Sequence, residues 1–235
     1  MFQRPLKGIH YGELTVISSG SMFAGKTEGI LKHIDSISIE EKNRVATLEK
    51  RGEPAIERTI GVFKHGIDDR YDKEAITSHS GRSYPATPTD SVIRIQHEVA
   101  RHDYRVIVID EAQFFSDKDK NGKWKIIEAV TKFLSENRYV ILGGLSKDFR
   151  GEAFGPMGDL MAVADEVHHL KGICAVCGSP STMTQRLLDG KPAYYEDPII
   201  LVGASDAYEP RCRTCHRIEH RSAEKENQQS IKNII

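Results

Sequence analysis

Gly20-Ser21-Met22-Phe23-Ala24-Gly25-Lys26-Thr27 fits the pattern G-x-x-x-x-G-K-[ST], and its reading decides the fold. Four fixed positions arise by chance in a chain of 235 residues roughly once in a hundred sequences. The context sharpens the match. Glu13 to Ser19 reads as a short buried strand entering the loop, and Thr27 to Ile37, with Ile30, Leu31 and Ile34 at helical spacing, reads as the helix leaving it. In that setting glycines turn backbone N–H groups toward phosphate oxygens, and the helix N-terminus adds a favourable dipole. Lys26 is expected to reach the β and γ phosphates of ATP, and the Thr27 hydroxyl to sit on Mg²⁺. The plain alternative is a glycine turn beside a surface lysine.

The second half of such a site is Arg105-Val-Ile-Val-Ile-Asp110-Glu111. A continuous apolar run ending in acid has the look of a central parallel strand. It predicts Asp110 at the strand's C-terminal end, holding Mg²⁺ through water, and Glu111 as a general base. Working outward, Arg44 to Leu48 is read as a second strand, Trp124 to Leu134 as a helix with Trp124 on its buried face, and Tyr139 to Gly144 as a further buried strand. Arg51 to Asp90 shows no period and is read as a long, partly mobile loop. Alternating strands and helices predict an α/β fold with a mostly parallel sheet.

Near Leu170 the character changes to cysteines, turns and short β pieces, Ile199 to Val202 among them. This gives a division into a core over 1–170, a small unit over 171–220 and a polar, mobile tail over 221–235, with its last isoleucines as candidates for docking. Cys174-x-x-Cys177 and Cys212-x-x-Cys215 match a four-thiolate structural zinc site. His216 remains open as an alternative to Cys215, and a redox dithiol is the rival reading. His168-His169 is read as structural, at a strand end.

Net charge is −1, which gives no bulk attraction for a polyanion; no nucleic-acid partner is expected. The start of the chain is mixed and polar, and no stretch approaches the roughly 18 consecutive apolar residues of a membrane helix. Four cysteines paired as metal ligands suit a reducing compartment, so a cytoplasmic protein without membrane contact is expected.

Together these residues resemble the thymidine kinase family of the compact, zinc-containing type found in vertebrate cytosol and in many bacteria and phages. The resemblance is carried by GSMFAGKT, VIVIDEAQFF, FRGEAFGPMGDLMAVAD, the two cysteine pairs and PIILVGASDAY, and it runs from about Glu13 to His216. It implies a RecA-like P-loop core with a zinc-anchored lasso closing over the nucleoside, and transfer of the γ-phosphoryl of ATP to the 5′-hydroxyl of thymidine, with deoxyuridine a second acceptor. It places Met22, Gln113 and Phe114 at the thymine pocket, Phe149 and Phe154 as aromatic walls, and Glu111 as the base. It assigns Asp68 and Arg70 to phosphate contacts. Thr184 and Tyr208, with backbone from Val202, Gly203, Ala204 and Ser205, hold the thymine edge and sugar. A homotetramer and feedback inhibition by thymidine triphosphate follow from the same resemblance.

There are departures from the family. Ser146 stands where an acid is common and receives no metal role, and Ala24 replaces a common serine. The rival from another class is a zinc-ribbon, RecA-like DNA-dependent ATPase. A zinc-stapled binding module with a dead P-loop is a third reading, disfavoured because Lys26, Thr27, Asp110 and Glu111 are all present.

Overall fold

All six residues of β1 (Leu14–Ser19) are buried, as are all five of β6 (Val106–Asp110), because each strand has parallel neighbours on both sides and helices over both faces. The structure is a computed structural model that describes residues 12–55, 57–67, 74–200 and 208–221. Among these the remaining strands are β2 (Ile60–Lys64), β3 (Ala75–Thr77), β4 (Ser83–Pro85), β5 (Thr87–Pro88), β7 (Tyr139–Leu145), β8 (Glu166–Leu170), β9 (Gly172–Ile173), β10 (Pro180–Ser181), β11 (Met183–Leu188), β12 (Lys191–Pro192) and β13 (Tyr208–Arg211). The α-helices are α1 (Lys26–Lys50), α2 (Val92–His102), α3 (Lys125–Ser135) and α4 (Met157–Ala162).

Six strands form one parallel sheet in the order β5-β2-β6-β7-β1-β8. The period of two sorts its side chains onto two faces. Ile107 and Ile109 join Leu14, Val16 and the apolar stripes of α2 and α3, whereas Val106 and Val108 join Ile17 and the α1 residues Ile30, Leu31, Ile34 and Ile37. The α/β architecture read from the sequence is therefore present, and beyond Leu170 the strands turn antiparallel. β9 pairs with β10, and β11 lies between β12 and β13.

Several elements differ from the sequence reading. Arg44 to Leu48 is no strand, for it forms the last turns of α1. The stripe Ile30, Ile34, Ile37 continues through Glu41, Val45 and Leu48 at steps of three and four. Glu41, buried, interrupts the apolar pattern but keeps the helical period. Its carboxylate receives Arg44 Nε at 2.9 Å and the Arg58 backbone N–H at 2.8 Å. The expected loop Arg51 to Asp90 contains β2, an internal strand of the main sheet, together with the β3–β4 hairpin and β5. Gly61 obscured β2 by breaking its apolar run; a Cβ there would stand 2.4 Å from the Tyr104 ring, so the close approach of that ring requires glycine. α2 escaped notice altogether, although Ser91 caps it through Arg94 N and Val92, Ile95 and Val99 are buried at helical spacing. Trp124 occupies the N-cap of α3, half-buried, with its indole N–H donating to Asp159 at 2.7 Å. His168 and His169 lie inside β8, not at its end. Ile199 and Ile200 are exposed and outside any strand, and Val202 lies beyond the described residues.

β7 separates the strand that feeds the glycine loop from the strand that carries the acid pair. Gly143 and Gly144 stand at its C-terminal end. A Cβ on Gly143 would lie 2.4 Å from Ile30 Cδ1 and 2.7 Å from an Asp110 carboxylate oxygen. Gly143→Ala should therefore lower stability by about 1–3 kcal/mol, measured as a fall in Tm, and should depress ATP turnover. Gly158→Ala is the control, since its added Cβ meets nothing nearer than 4.0 Å; it should leave Tm unchanged or raise it. An unaltered Tm in Gly143→Ala would show that the crossing has room to spare.

Candidate active site

The glycine loop begins where β1 ends and delivers Lys26 and Thr27 as the first residues of α1. Phe23 and Gly25 both adopt left-handed backbone, with φ of 60° and 83°. Gly25 is the N-cap of α1, and no side chain caps the helix, so its first N–H groups face the loop and suit an anion. The first half of the loop is committed elsewhere. A Cβ on Gly20 would lie 2.2 Å from the Thr182 carbonyl oxygen. Ser21 Oγ hydrogen-bonds Ser181 Oγ at 2.9 Å, and Met22 N–H donates to Thr184 Oγ1 at 3.1 Å. Gly20 to Met22 are thus docked on β10 and β11, and the later loop residues lead into the N-terminus of α1.

Asp110 closes β6 at 4% exposure, its carboxylate accepting the Glu111 N–H at 2.8 Å. Glu111 itself is left-handed, with φ 54° and ψ 42°, a conformation a glutamate holds only when its surroundings impose it. Gln113, fully buried, fixes the Glu111 side chain. Its amide nitrogen donates to Glu111 Oε2 at 2.5 Å, and its amide oxygen accepts Leu145 N–H at 3.0 Å. A Cβ on Gly144 would lie 2.8 Å from that oxygen, so the second glycine of β7 makes this bond possible as the first makes room for Asp110.

Phe114 and Phe154 meet edge to face at 5.5 Å, and the His65 ring lies 5.5 Å from Phe114 and 4.9 Å from Phe115. Burial holds the His65 imidazole below its ordinary pKa against the opposing charges of Asp90, Glu111 and Asp117. His65 went unnoticed in the sequence because β2, whose end it follows, was itself unseen. Phe149 is 3% exposed in a turn whose acid, Asp148, accepts Arg150 N–H at 2.9 Å and Glu152 N–H at 3.1 Å; burial pushes the Asp148 carboxyl up. Ser146 joins the ends of β7 and β1, its backbone N–H and its hydroxyl both donating to the Ser19 carbonyl. Thr184 is buried, and Tyr208 pairs across the sheet with Arg186. Asp68, Arg70, Val202, Gly203, Ala204 and Ser205 lie outside the described residues.

The four cysteine sulfurs all lie within 4.8 Å of one another. Cys177 Sγ and Cys212 Sγ are 3.6 Å apart, whereas a disulfide requires about 2.05 Å. Tetrahedral thiolates at Zn–S bonds of about 2.3 Å stand about 3.8 Å apart, so these residues fit zinc. Burial alone would raise the Cys174 thiol, yet backbone N–H groups of Cys212, Cys177 and Val176 bring it down to about 6. Cys215, hydrogen-bonded with Cys212 and Cys177, is pushed up to about 12; such a cluster shares protons that a metal ion would displace. His216 is turned away. Its Nε2 lies 2.8 Å from the Phe149 carbonyl oxygen, which can only accept, so Nε2 carries the proton and Cys215 completes the cluster.

Among the described residues no helix is long and apolar enough to cross a membrane. The fold is similar to the flagellar accessory protein FlaH from Methanocaldococcus jannaschii, at 12% identity and a TM-score of 0.43, over 74% of this chain and 77% of that one. The thymidine kinase family model matches residues 12–216, a span that takes in the glycine loop, the acid pair and all four cysteines. The chain belongs to the thymidine kinase family and is accordingly a kinase that phosphorylates thymidine with ATP.

Proposed function

We propose that Glu111 is the general base of this reaction, and the observation that carries the reading is its carboxylate, clamped by Gln113 on a left-handed backbone just after β6. The 5′-oxygen of thymidine forms a bond to the γ-phosphorus as the bond from that phosphorus to the β-bridging oxygen breaks. The hydroxyl proton passes to Glu111, and ADP leaves. The bond from the Gln113 amide would hold the Glu111 carboxylate in place for the transfer. Lys26 and the N–H groups of Phe23 to Thr27 hold the β and γ phosphates, with Asp68 and Arg70 as further phosphate contacts. Mg²⁺, an ion for oxygen donors, would be held by the Thr27 hydroxyl and the Asp110 carboxylate and would neutralise charge on the phosphates.

Met22, Phe114, Phe149 and Phe154 are proposed to enclose the base. Thr184 and Tyr208, on β11 and β13, are proposed to hold the thymine edge and the sugar together with lasso backbone at Val202 to Ser205. Support comes from the bond between Met22 N–H and Thr184, which makes the phosphate loop and the lasso base one unit. In this reading residues 1–170 are the kinase core, 171–220 the lasso and 221–235 a tail. Deoxyuridine as a second acceptor, a homotetramer, feedback inhibition by thymidine triphosphate and a cytoplasmic location are carried by family membership.

Glu111→Gln should lower kcat by roughly 10²–10⁴-fold with little change in either KM, measured by steady-state ADP release with thymidine. Full activity in that variant would remove the base assignment. Zinc is tested separately. Titrating the thiols with a mercurial, with a chromogenic chelator present, should release about one zinc per chain, and thymidine-dependent turnover should fall in step. Undiminished turnover after complete release would refute a staple that shapes the nucleoside site.

A further inference from the structure

Arg186 is the largest of the fully buried side chains among the described residues. A guanidinium carries its charge at every accessible pH, and burying it without a partner is costly. Yet no described carboxylate pairs with it, and its Nε hydrogen finds no acceptor. What it touches is specific. Nη1 donates to the Pro198 carbonyl, and the guanidinium carbon lies 5.2 Å from the centre of the Phe149 ring, within cation–π range. In the sheet Arg186 stands opposite Tyr208. The guanidinium therefore ties the chain at Pro198 to the Phe149 ring, while the backbone of Arg186 belongs to the ladder with β13.

Phe149 is gripped from this side more than once. Arg150 lies 5.5 Å from the same ring and 4.7 Å from that of Tyr195, and its Nη2 donates to the Asp197 carbonyl at 2.9 Å. His216, beside the cysteine cluster, holds the Phe149 carbonyl. Of these groups only Arg186 is fully buried, and its guanidinium joins the Pro198 carbonyl to the ring. An arginine suits the task because its planar fork presents donors at its edge and a stacking face at once.

We propose that Arg186 is a positioning residue of the nucleoside site, holding the Phe149 ring against the chain at Pro198. The inference rests on the reading of Phe149 as a wall of the thymidine site. It predicts an effect confined to the nucleoside. Arg186→Met in the full, zinc-loaded chain should raise the KM for thymidine roughly 10- to 100-fold, the range expected when a hydrogen bond to a charged group is lost. The KM for ATP should stay within about twofold and zinc at about one per chain. Arg186→Lys keeps the charge and most of the volume but loses the fork, and should fall between Met and wild type; it carries the same test if the Met variant does not fold. A thymidine KM equal to wild type overturns the inference, and so does a parallel rise in both KM values or loss of zinc, which mark a general structural role. If wild-type enzyme turns over no thymidine, the acceptor reading falls and takes this inference with it. Wild-type turnover with an unmoved KM in the variants sinks the inference alone.

Discussion

Everything in this site depends on getting two strands that are not neighbours to act at one point. The strand that feeds the phosphate loop and the strand that ends in Asp110 have β7 between them. Side chains on β7 would fill the gap, and Gly143 and Gly144 leave it open. Through the first glycine the Asp110 carboxylate lies over β7 beside Ile30 of α1; through the second, the Gln113 amide reaches the Leu145 N–H. Glycine in a central strand costs conformational entropy and packing. Here that cost leaves the carboxylate and the amide a route across the sheet.

The same economy of space appears on the other side of the loop. Gly20 lies against the Thr182 carbonyl, closer than any Cβ allows, and Gly172 leaves room for Ser181 and Ser21. The loop is consequently seated on β10 and β11 before any phosphate arrives. Thr184, from the cysteine-bearing part, satisfies a backbone N–H of the loop. A displacement of β11 would move Met22, so the glycine loop and the cysteine-bearing part are mechanically joined.

Much of this was legible in the sequence because chemistry was concentrated in short, strongly patterned runs. The glycine loop, the Val106 to Glu111 run and the cysteine pairs each announce themselves within eight residues or fewer. What was lost had its signal split or diluted. Val45 and Leu48 continue the stripe of α1, but a charged residue at Glu41 interrupts it, and a short window then reads β-rich. β2 hides behind Gly61, and with it went His65. Arg186 has no motif at all, because its meaning lies in a cation buried against an aromatic ring distant in sequence. Gln113 stands in a run the sequence singles out, but only the fold reveals that its amide bridges Glu111 and Leu145.

The cysteine-bearing part shows why a metal fits here beyond the matching of sulfur distances. Among described residues after Leu170, only Cys174, Met183 and Ala193 are buried apolar side chains, far too few to hold a set of two- to six-residue strands by hydrophobic burial. Its buried content is instead polar: Ser181, Thr184, Gln185, Arg186 and Asp197. Gln185 ties β11 to Arg217, donating to its carbonyl at 2.9 Å and accepting its N–H at 2.8 Å. Polar networks of this kind are specific but gain little net free energy, and they hold only while their members stay in register. Four thiolates on one ion would fix the two chain segments that bear Cys174 and Cys212, and so the separation across which β11 and β13 pair. A part built this way would take its shape from a metal-fixed frame and its contacts from hydrogen bonds, and the apolar core is left to the parallel sheet.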